Sequence, residues 1–402
     1  MHRHPRILVW IVLTVAAPAW GASLRSTLGS ASELVGISGG SAFDALARVI
    51  ANTAARSLPV ISASAGITYR YNADLDVFER SSQTLGPIFL ERADTLGRNK
   101  LNVNLSYQFV QFDEYDGEDL GDLESPNPIV LKDVTGGTVV GLTATRLQYR
   151  LGIRNYIAAL SLTYGILDEL DVNLLLPVIA TDFDVGVSAR TVATAGPDGV
   201  FSAAPAAPLS GQTGAHTTGI GDILARFKYR LPDRGWLRSA AGLQFRIPSG
   251  DEDEFQGTGD VEVSPALYAG AVFWDRLSTY GNLVVDLNAS DVARSQIRWG
   301  LGADVDVTPR INFALAFLAR HELDAPVDGG ETDFLHLTPG GLAEEPLLGI
   351  DFDRSDYFDL SFGCRVVLWR DIMLFANGIV ALNDSGLRNG TIVPTVGLEG
   401  TF

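Results

Sequence analysis

Hydrophobic and polar residues alternate along most of this chain. From 101 to 109 the odd positions Leu101, Val103, Leu105, Tyr107 and Phe109 are apolar, and the even positions Asn102, Asn104, Ser106 and Gln108 are polar. The same period runs through 297–307, where Ile297, Trp299, Leu301, Ala303, Val305 and Val307 alternate with Arg298, Gly300, Gly302, Asp304 and Asp306. It recurs in 311–317, where Ile311, Phe313, Leu315 and Phe317 alternate with Asn312, Ala314 and Ala316. Successive side chains of a strand point to opposite faces, so each stretch is predicted to be a strand with one apolar face. A soluble sandwich alternates in the same way. Strand length and the connections separate the two cases.

Runs such as 171–190 and 355–369 far exceed the ~5–6 residues usual in soluble strands. Tight turns fall at 167–170, 232–235, 274–276, 308–310 and 369–371. Longer or more polar connections lie between them, at 114–137, 191–217, 249–258, 288–295, 324–354 and 383–390. Short periplasmic turns alternating with long outer loops mark a transmembrane β-barrel. The expected strands are 99–113, 142–167, 171–190, 218–231, 236–248, 259–273, 277–288, 295–307, 311–323, 355–369, 372–383 and 390–402. That makes an all-β antiparallel barrel of twelve strands over 99–402.

Two features bear on that count. The apolar phase flips near Arg154 and Asn155, from Leu147, Tyr149, Leu151 and Ile153 to Tyr156, Ala158, Leu160, Leu162 and Tyr164. A β-bulge in one long strand accounts for this, with a tight turn as the alternative. Residues 67–80 read as a small hairpin, and its entry into the wall would give fourteen strands.

The amino-terminal part follows another rule. His2, Arg3, His4 and Arg6 precede the uncharged run 7–20, and Ala19 and Gly21 frame a cleavage site, so 1–21 reads as a secretory signal. The run is short of the ~20 residues that cross a bilayer as a helix. In 22–58 the period lengthens. Ser41 and Asp44 form a capping-box-like start, and Phe43, Leu46, Ala47, Ile50 and Ala54 share one helical face. A second short helix is expected from Pro87. Residues 22–98 are therefore expected to form a plug-like segment with helix and small hairpin, inside the barrel or in the periplasm. Phe43, Leu46 and Ile50 are its expected gate.

Composition then supplies the compartment. The 402 residues are 46% hydrophobic and 19% charged, with a net charge of −18 that becomes −20 when Arg3 and Arg6 leave with the signal. An exported, apolar chain without a spanning helix satisfies its backbone in a bilayer only as a closed barrel. The acidic balance argues against nucleic acid as a partner. Cys364 is the single cysteine, which excludes an internal disulfide and any multi-cysteine metal site. The expected location is the bacterial outer membrane, with its lipid and lipopolysaccharide as partners. A strand ending on Phe402 resembles the signal read by the barrel-assembly machinery.

The residues 219–222 (Gly-Ile-Gly-Asp), Arg226, Lys228, Arg230, 246–253 (Arg-Ile-Pro-Ser-Gly-Asp-Glu-Asp), Gly257, Gly259, Ser264 and Pro265 carry a further resemblance. With 164–171 and Leu176-Pro177 upstream, they resemble the outer-membrane transporter family named for the meta-pathway of phenol degradation. That family is more distantly similar to long-chain fatty acid transporter barrels. The resemblance covers 160–290 well and the remainder through barrel pattern, and it supports fold more than substrate.

Period two also sorts the charges. Asp222, Arg226, Lys228 and Arg230 lie opposite Ile223, Ala225, Phe227 and Tyr229, so they face the lumen, since a charge on the lipid face costs ~2–4 kcal/mol at the midplane. Arg238, Gln244, Arg246, Arg298, Asp304 and Asp306 follow the same rule. They form either a self-neutralising lattice or a selective constriction. The cluster 251–254 (Asp-Glu-Asp-Glu) with Asp260 reads as a solvated loop or, alternatively, a hard-cation site. His321-Glu322 is the only pair reminiscent of barrel hydrolase chemistry, and no catalytic residue, cofactor or metal is expected. Loop 324–354 holds Phe334, Leu335, Leu337, Leu347 and Leu348, which either pack inward or, as the resemblance implies, form a landing site for a hydrophobic solute. The expectation is passive uptake of small hydrophobic molecules, aromatic compounds or fatty acids, with 22–58 gating the exit. A diffusion porin and a non-transport barrel are the alternatives.

Overall fold

The computed structural model describes residues 23–29, 44–56, 62, 69–72, 77–80, 85–135, 138–196, 198–274, 276–325, 333–347 and 353–402. The secretory-signal reading of 1–21 lies outside them. Twelve antiparallel wall strands close into a barrel. They are β1 (Leu101–Phe112), β2 (Thr138–Gly165), β3 (Leu170–Ala195), β4 (Leu209–Ile220 continued by Ile223–Arg230), β5 (Arg238–Ile247) and β6 (Glu262–Phe273). The circuit continues through β7 (Leu277–Asn288), β8 (Gln296–Thr308), β9 (Ile311–Glu322), β10 (Asp356–Trp369), β11 (Ile372–Ala381) and β12 (Val393–Thr401). Both halves of β4 pair with β3, at Thr218↔Ala180 and Arg226↔Asn173, and so occupy one wall position. The circuit closes where β12 meets β1, with Val396 opposite Tyr107. The hairpin Tyr69–Asn72 and Val77–Arg80 pairs only with itself, which settles the count at twelve rather than fourteen.

β2 and β3 differ from the sequence reading in reach. They run 28 and 26 residues, whereas ~9–11 tilted residues cross the hydrocarbon layer. Residues 209–217, expected in a loop, extend β4 beside them. Together the three strands form a blade rising past the membrane on the loop side.

The expected bulge at Arg154–Asn155 is absent. Register runs unbroken from Thr145↔Thr191 to Gly165↔Asp171, with its only irregularity between Ala144 and Thr145. Odd residues of β2 face inward along this whole stretch, from Leu147 to Thr163. What changes is the solvent on each side. Below Asn155 the outer face meets lipid, so Ala158, Leu160, Leu162 and Tyr164 point out while Ser161 and Thr163 point in. Above it the outer face meets water, so Arg146, Arg150 and Arg154 point out while Leu147, Tyr149, Leu151 and Ile153 are buried inside. β3 inverts at the same height: Leu174, Leu176 and Val178 face out below, Asp182 and Asp184 above, and Phe183, Val185 and Val187 are buried within.

Aromatic residues bracket the lipid band. Trp236, Trp274, Trp369 and Phe402 are exposed at the turn end, and the outward pairs Phe109–Tyr156 and Trp299–Phe317 lie nearer the loop end, as interfacial girdles require. Two helices, α1 (Leu24–Gly29) and α2 (Asp44–Arg56), join the apolar interior of the upper half. Leu24, Leu28, Val49, Ile50 and Ala54 are buried with Val110, Phe112, Leu147, Ile153, Phe183 and Phe255.

Candidate functional site

Two inserts occupy the lumen, one above the other. The upper is α1 with α2. Arg25 pairs with Asp253 at 3.2 Å, and its backbone N–H donates to the Asp253 carbonyl at 3.1 Å. Arg56, at the end of α2, donates to Glu262 at 2.9 Å and to the Arg294 carbonyl at 3.1 Å. Asp253 and Arg294 belong to outer loops, so the helices sit at the outer mouth. The expectation that 22–58 closes the exit is thereby corrected. The cause is the apolar inner face of the upper wall, which matches the apolar stripe of α2. Of the expected gate residues, Ile50 is buried in this core. Leu46 lies in α2, its side chain outside what is described, and Phe43 is outside the described residues.

The lower insert is the segment 85–98. It is irregular, without the helix expected from Pro87, because the wall takes up its backbone groups. The Glu91 N–H donates to Asn282 Oδ1 at 2.7 Å, and Asn282 Nδ2 donates to the Glu91 carbonyl at 2.8 Å. The Leu96 N–H donates to Asp171 at 2.8 Å, and Arg365 donates to the Leu85 carbonyl at 2.7 Å. Leu90 rests on Gly300 and Gly302, where an added Cβ would come within 2.7 Å of it. Those glycines, on the inward face of β8, make room for the insert.

The lumen charges meet this segment. Glu91 accepts from Arg226 and Lys228, both at 3.4 Å. Asp94 pairs with Arg238 at 3.0 Å and with Arg230 at 3.7 Å. Arg246 joins Glu262 at 2.9 Å and Asp222 at 3.6 Å, and Asp286 holds Arg298 through a double hydrogen bond. Asp304 accepts from the Tyr280 hydroxyl and from Asn312. Each of these eight charged residues thus makes its contacts on the inner side of the wall. Four of the cations pair with Glu91 and Asp94 of the insert, two carboxylates that alternation could not point to because 85–98 has none.

Between the inserts lies a chamber of about 240 Å³. Thr53 and Arg56 of α2 border it on one side and Phe89 and Leu90 of the lower segment on the other. Its walls include Val110, Phe112, Val284, Leu318, Tyr357, Ile379 and Val393. Four arginines reach it: Arg56, Arg298, Arg320 and Arg388. Most of the lining is apolar, as in small-molecule sites generally.

The sequence matches the protein family described as "Putative MetA-pathway of phenol degradation" over residues 131–384, more than half of the chain. The chain belongs to that family. Among solved structures it is similar to an outer membrane channel from Pseudomonas putida F1 (10% identity, 77% of this chain and 98% of that one, TM-score 0.46). It is also similar to a FadL homologue from Pseudomonas aeruginosa (12% identity, 76% and 90% coverage, TM-score 0.33). No curated protein matches the sequence. As a family member with a closed barrel, the protein resides in the bacterial outer membrane.

The remaining candidates fall elsewhere. Residues 333–346 fold as a hairpin, Asp333–Thr338 with Gly341–Pro346. Phe334 and Leu347 pack on the upper core, and Leu335 and Leu337 pack with Val130, Ala144 and Ala193, so these side chains are used in loop packing instead of forming an open landing surface. Leu348 lies outside the described residues. In the acidic cluster Asp251 and Glu252 are exposed, and Asp253 pairs with Arg25 of α1. No metal-holding group of three or more such residues occurs among the described residues. His321 faces outward, bonded to Asp356 at 2.9 Å and accepting from Trp299 Nε1 at 3.0 Å. Arg320 and Tyr357 of the chamber were missed, although strand parity placed both on the inner face.

Proposed function

We propose that this outer-membrane barrel carries small hydrophobic molecules passively across the membrane, through the chamber, with α1–α2 as the outer gate and 85–98 as the inner one. The chamber carries this reading. It lies between two inserts, apolar and aromatic side chains make up most of its lining, and it is smaller than the ~300–1,000 Å³ of drug-sized sites. A single ring or a short chain suits such a space. The lower insert is held chiefly by ion pairs and hydrogen bonds that can be exchanged for water, so it can move without unfolding the wall, whereas the upper one must leave an apolar core.

Filling the chamber tests the route. Leu318→Trp projects a ring into it from β9. In proteoliposomes, influx of a neutral single-ring solute such as benzyl alcohol should fall severalfold, with the barrel still resistant to unfolding in detergent. Unchanged influx through a folded variant would remove the chamber from the path. A steady, large ionic current through the unmodified protein would favour the hydrophilic diffusion porin instead.

A further inference from the structure

The four chamber arginines are not equivalent. Arg56 is paired with Glu262 at 2.9 Å, Arg298 with Asp286, and Arg388 with Asp359 at 2.7 Å. Arg320 makes no ion pair within 4 Å and no hydrogen bond among the described residues. Its guanidinium lies 3.7 Å from the ring centroid of Tyr357, its register partner on β10, and the Arg388 guanidinium lies 4.6 Å from the same ring. Glu322, next on the same inner face, instead accepts from the Ser355 backbone N–H at 3.2 Å. Among the described residues one positive charge thus remains over in a chamber where Phe89, Leu90, Leu318 and Ile379 stand beside Gln108, Asn282 and Asp359.

An unpaired cation in a confined, apolar setting is costly to keep, and the cost is removed when an anion joins it. The stack on Tyr357 fixes the guanidinium plane and leaves its N–H edge free to donate, as two parallel bonds, to a carboxylate. We propose that Arg320 is the anion anchor of the chamber and that its preferred occupant is an amphipathic monoanion: a carboxylate on one aromatic ring or on a short alkyl chain. The carboxylate meets Arg320 and the apolar body lies toward Phe89 and Leu318. Arg298 and Arg388 are committed to their own carboxylates and set the surrounding potential.

This inference rests on the chamber being the solute site, and the test separates the two. The full-length protein in detergent is titrated calorimetrically with benzoate and with benzyl alcohol, a neutral molecule of similar size. Benzoate should bind more tightly. Arg320→Gln should weaken benzoate by about tenfold to a hundredfold, the range of a charge-assisted hydrogen bond, and leave benzyl alcohol unchanged. Arg320→Lys, which keeps the charge and loses the paired donors, should fall between. Equal loss of both probes in Arg320→Gln, or no change in their ratio, overturns the anchor while the chamber reading stands. Binding of both probes undiminished by Leu318→Trp overturns the chamber reading and the anchor with it. Retention of the heat-resistant folded form by each variant shows that the comparison concerns the site.

Discussion

At the residue scale, the seating of segment 85–98, the proposed inner gate, depends on how two carboxylates are matched to four cations. Glu91 faces Arg226 and Lys228, all three largely buried. Removing one member of such a set leaves buried charge without a partner, typically costing about 3–5 kcal/mol. Glu91→Gln keeps the size and removes the charge. Segment 85–98 should then leave the wall more often, read in planar bilayers as frequent opening events and a raised mean current. A current trace identical to that of the unmodified protein would mean that these pairs do not hold the segment. The proposed outer gate, α1 with α2, has a different sensitivity. Burial raises the Glu254 carboxyl above its ordinary value, Asp251 and Asp253 raise it further, and the Leu24 N–H at the start of α1 pulls it back only in part. A carboxyl that holds its proton more firmly in the folded state contributes stability below its ordinary value near 4.5, and that contribution is lost as pH rises through the raised one. Docking of α1 is therefore expected to tighten on acidification into and just above the carboxylate range. Open probability should fall as pH drops, and Glu254→Gln should hold the low-pH behaviour at neutral pH.

At the scale of elements, the outer blade shows how one strand serves two solvents. β2 keeps a single register while its apolar face changes sides at Asn155. Ile153 and Arg154 are adjacent and face opposite ways, so exchanging their character separates wall from plug. Ile153→Asp places a carboxylate against the helix-bearing core and forfeits about 1.5–3 kcal/mol of burial besides the cost of the charge. Arg154→Leu changes only the watery side and the ion pair with Asp184. The first should expose α2 to trypsin at Arg48 and Arg56 while the barrel stays folded in gel-shift assays; the second should leave the digestion pattern as it was. The same inversion explains what was legible beforehand. Alternation located all twelve strands and the inward charges, because the lipid band imposes apolar-out everywhere. It misread the phase change as a bulge, since a period-two pattern records which face is apolar and not which face is inside. It could not place Glu91, Asp94 or Leu90, whose positions are set by long-range contacts with Arg226, Arg238 and the glycines of β8. Strand parity alone puts Arg320 on the inner face of β9, although it was not singled out. Its lack of a carboxylate partner depends on where Glu262, Asp286 and Asp359 spend theirs.

At the scale of the whole molecule, the proposed route has the two inserts obstructing one path in series. α1–α2 occupy the outer mouth through Asp253, Glu262 and the apolar upper wall, and 85–98 occupies the lower lumen through Asn282, Arg226 and Arg238. Obstructions in series share one current, and the narrower one governs it. Deleting 24–57 alone opens the chamber to the outside and leaves the lower segment in place. Weakening the lower segment alone, with Glu91→Gln and Asp94→Asn, leaves α2 across the top. Each change by itself should raise ionic current modestly, and their combination should raise it by much more than the sum of the two. Such non-additivity is the signature of elements acting on one property through a common route. Solute exchange adds a check of direction. In proteoliposomes of known orientation, the helix deletion should speed benzyl alcohol binding from the outer face only, and the lower-segment variant from the periplasmic face only. Additive currents would mean that the inserts border separate paths, and a full-sized current from the helix deletion alone would mean that 85–98 does not obstruct the lumen.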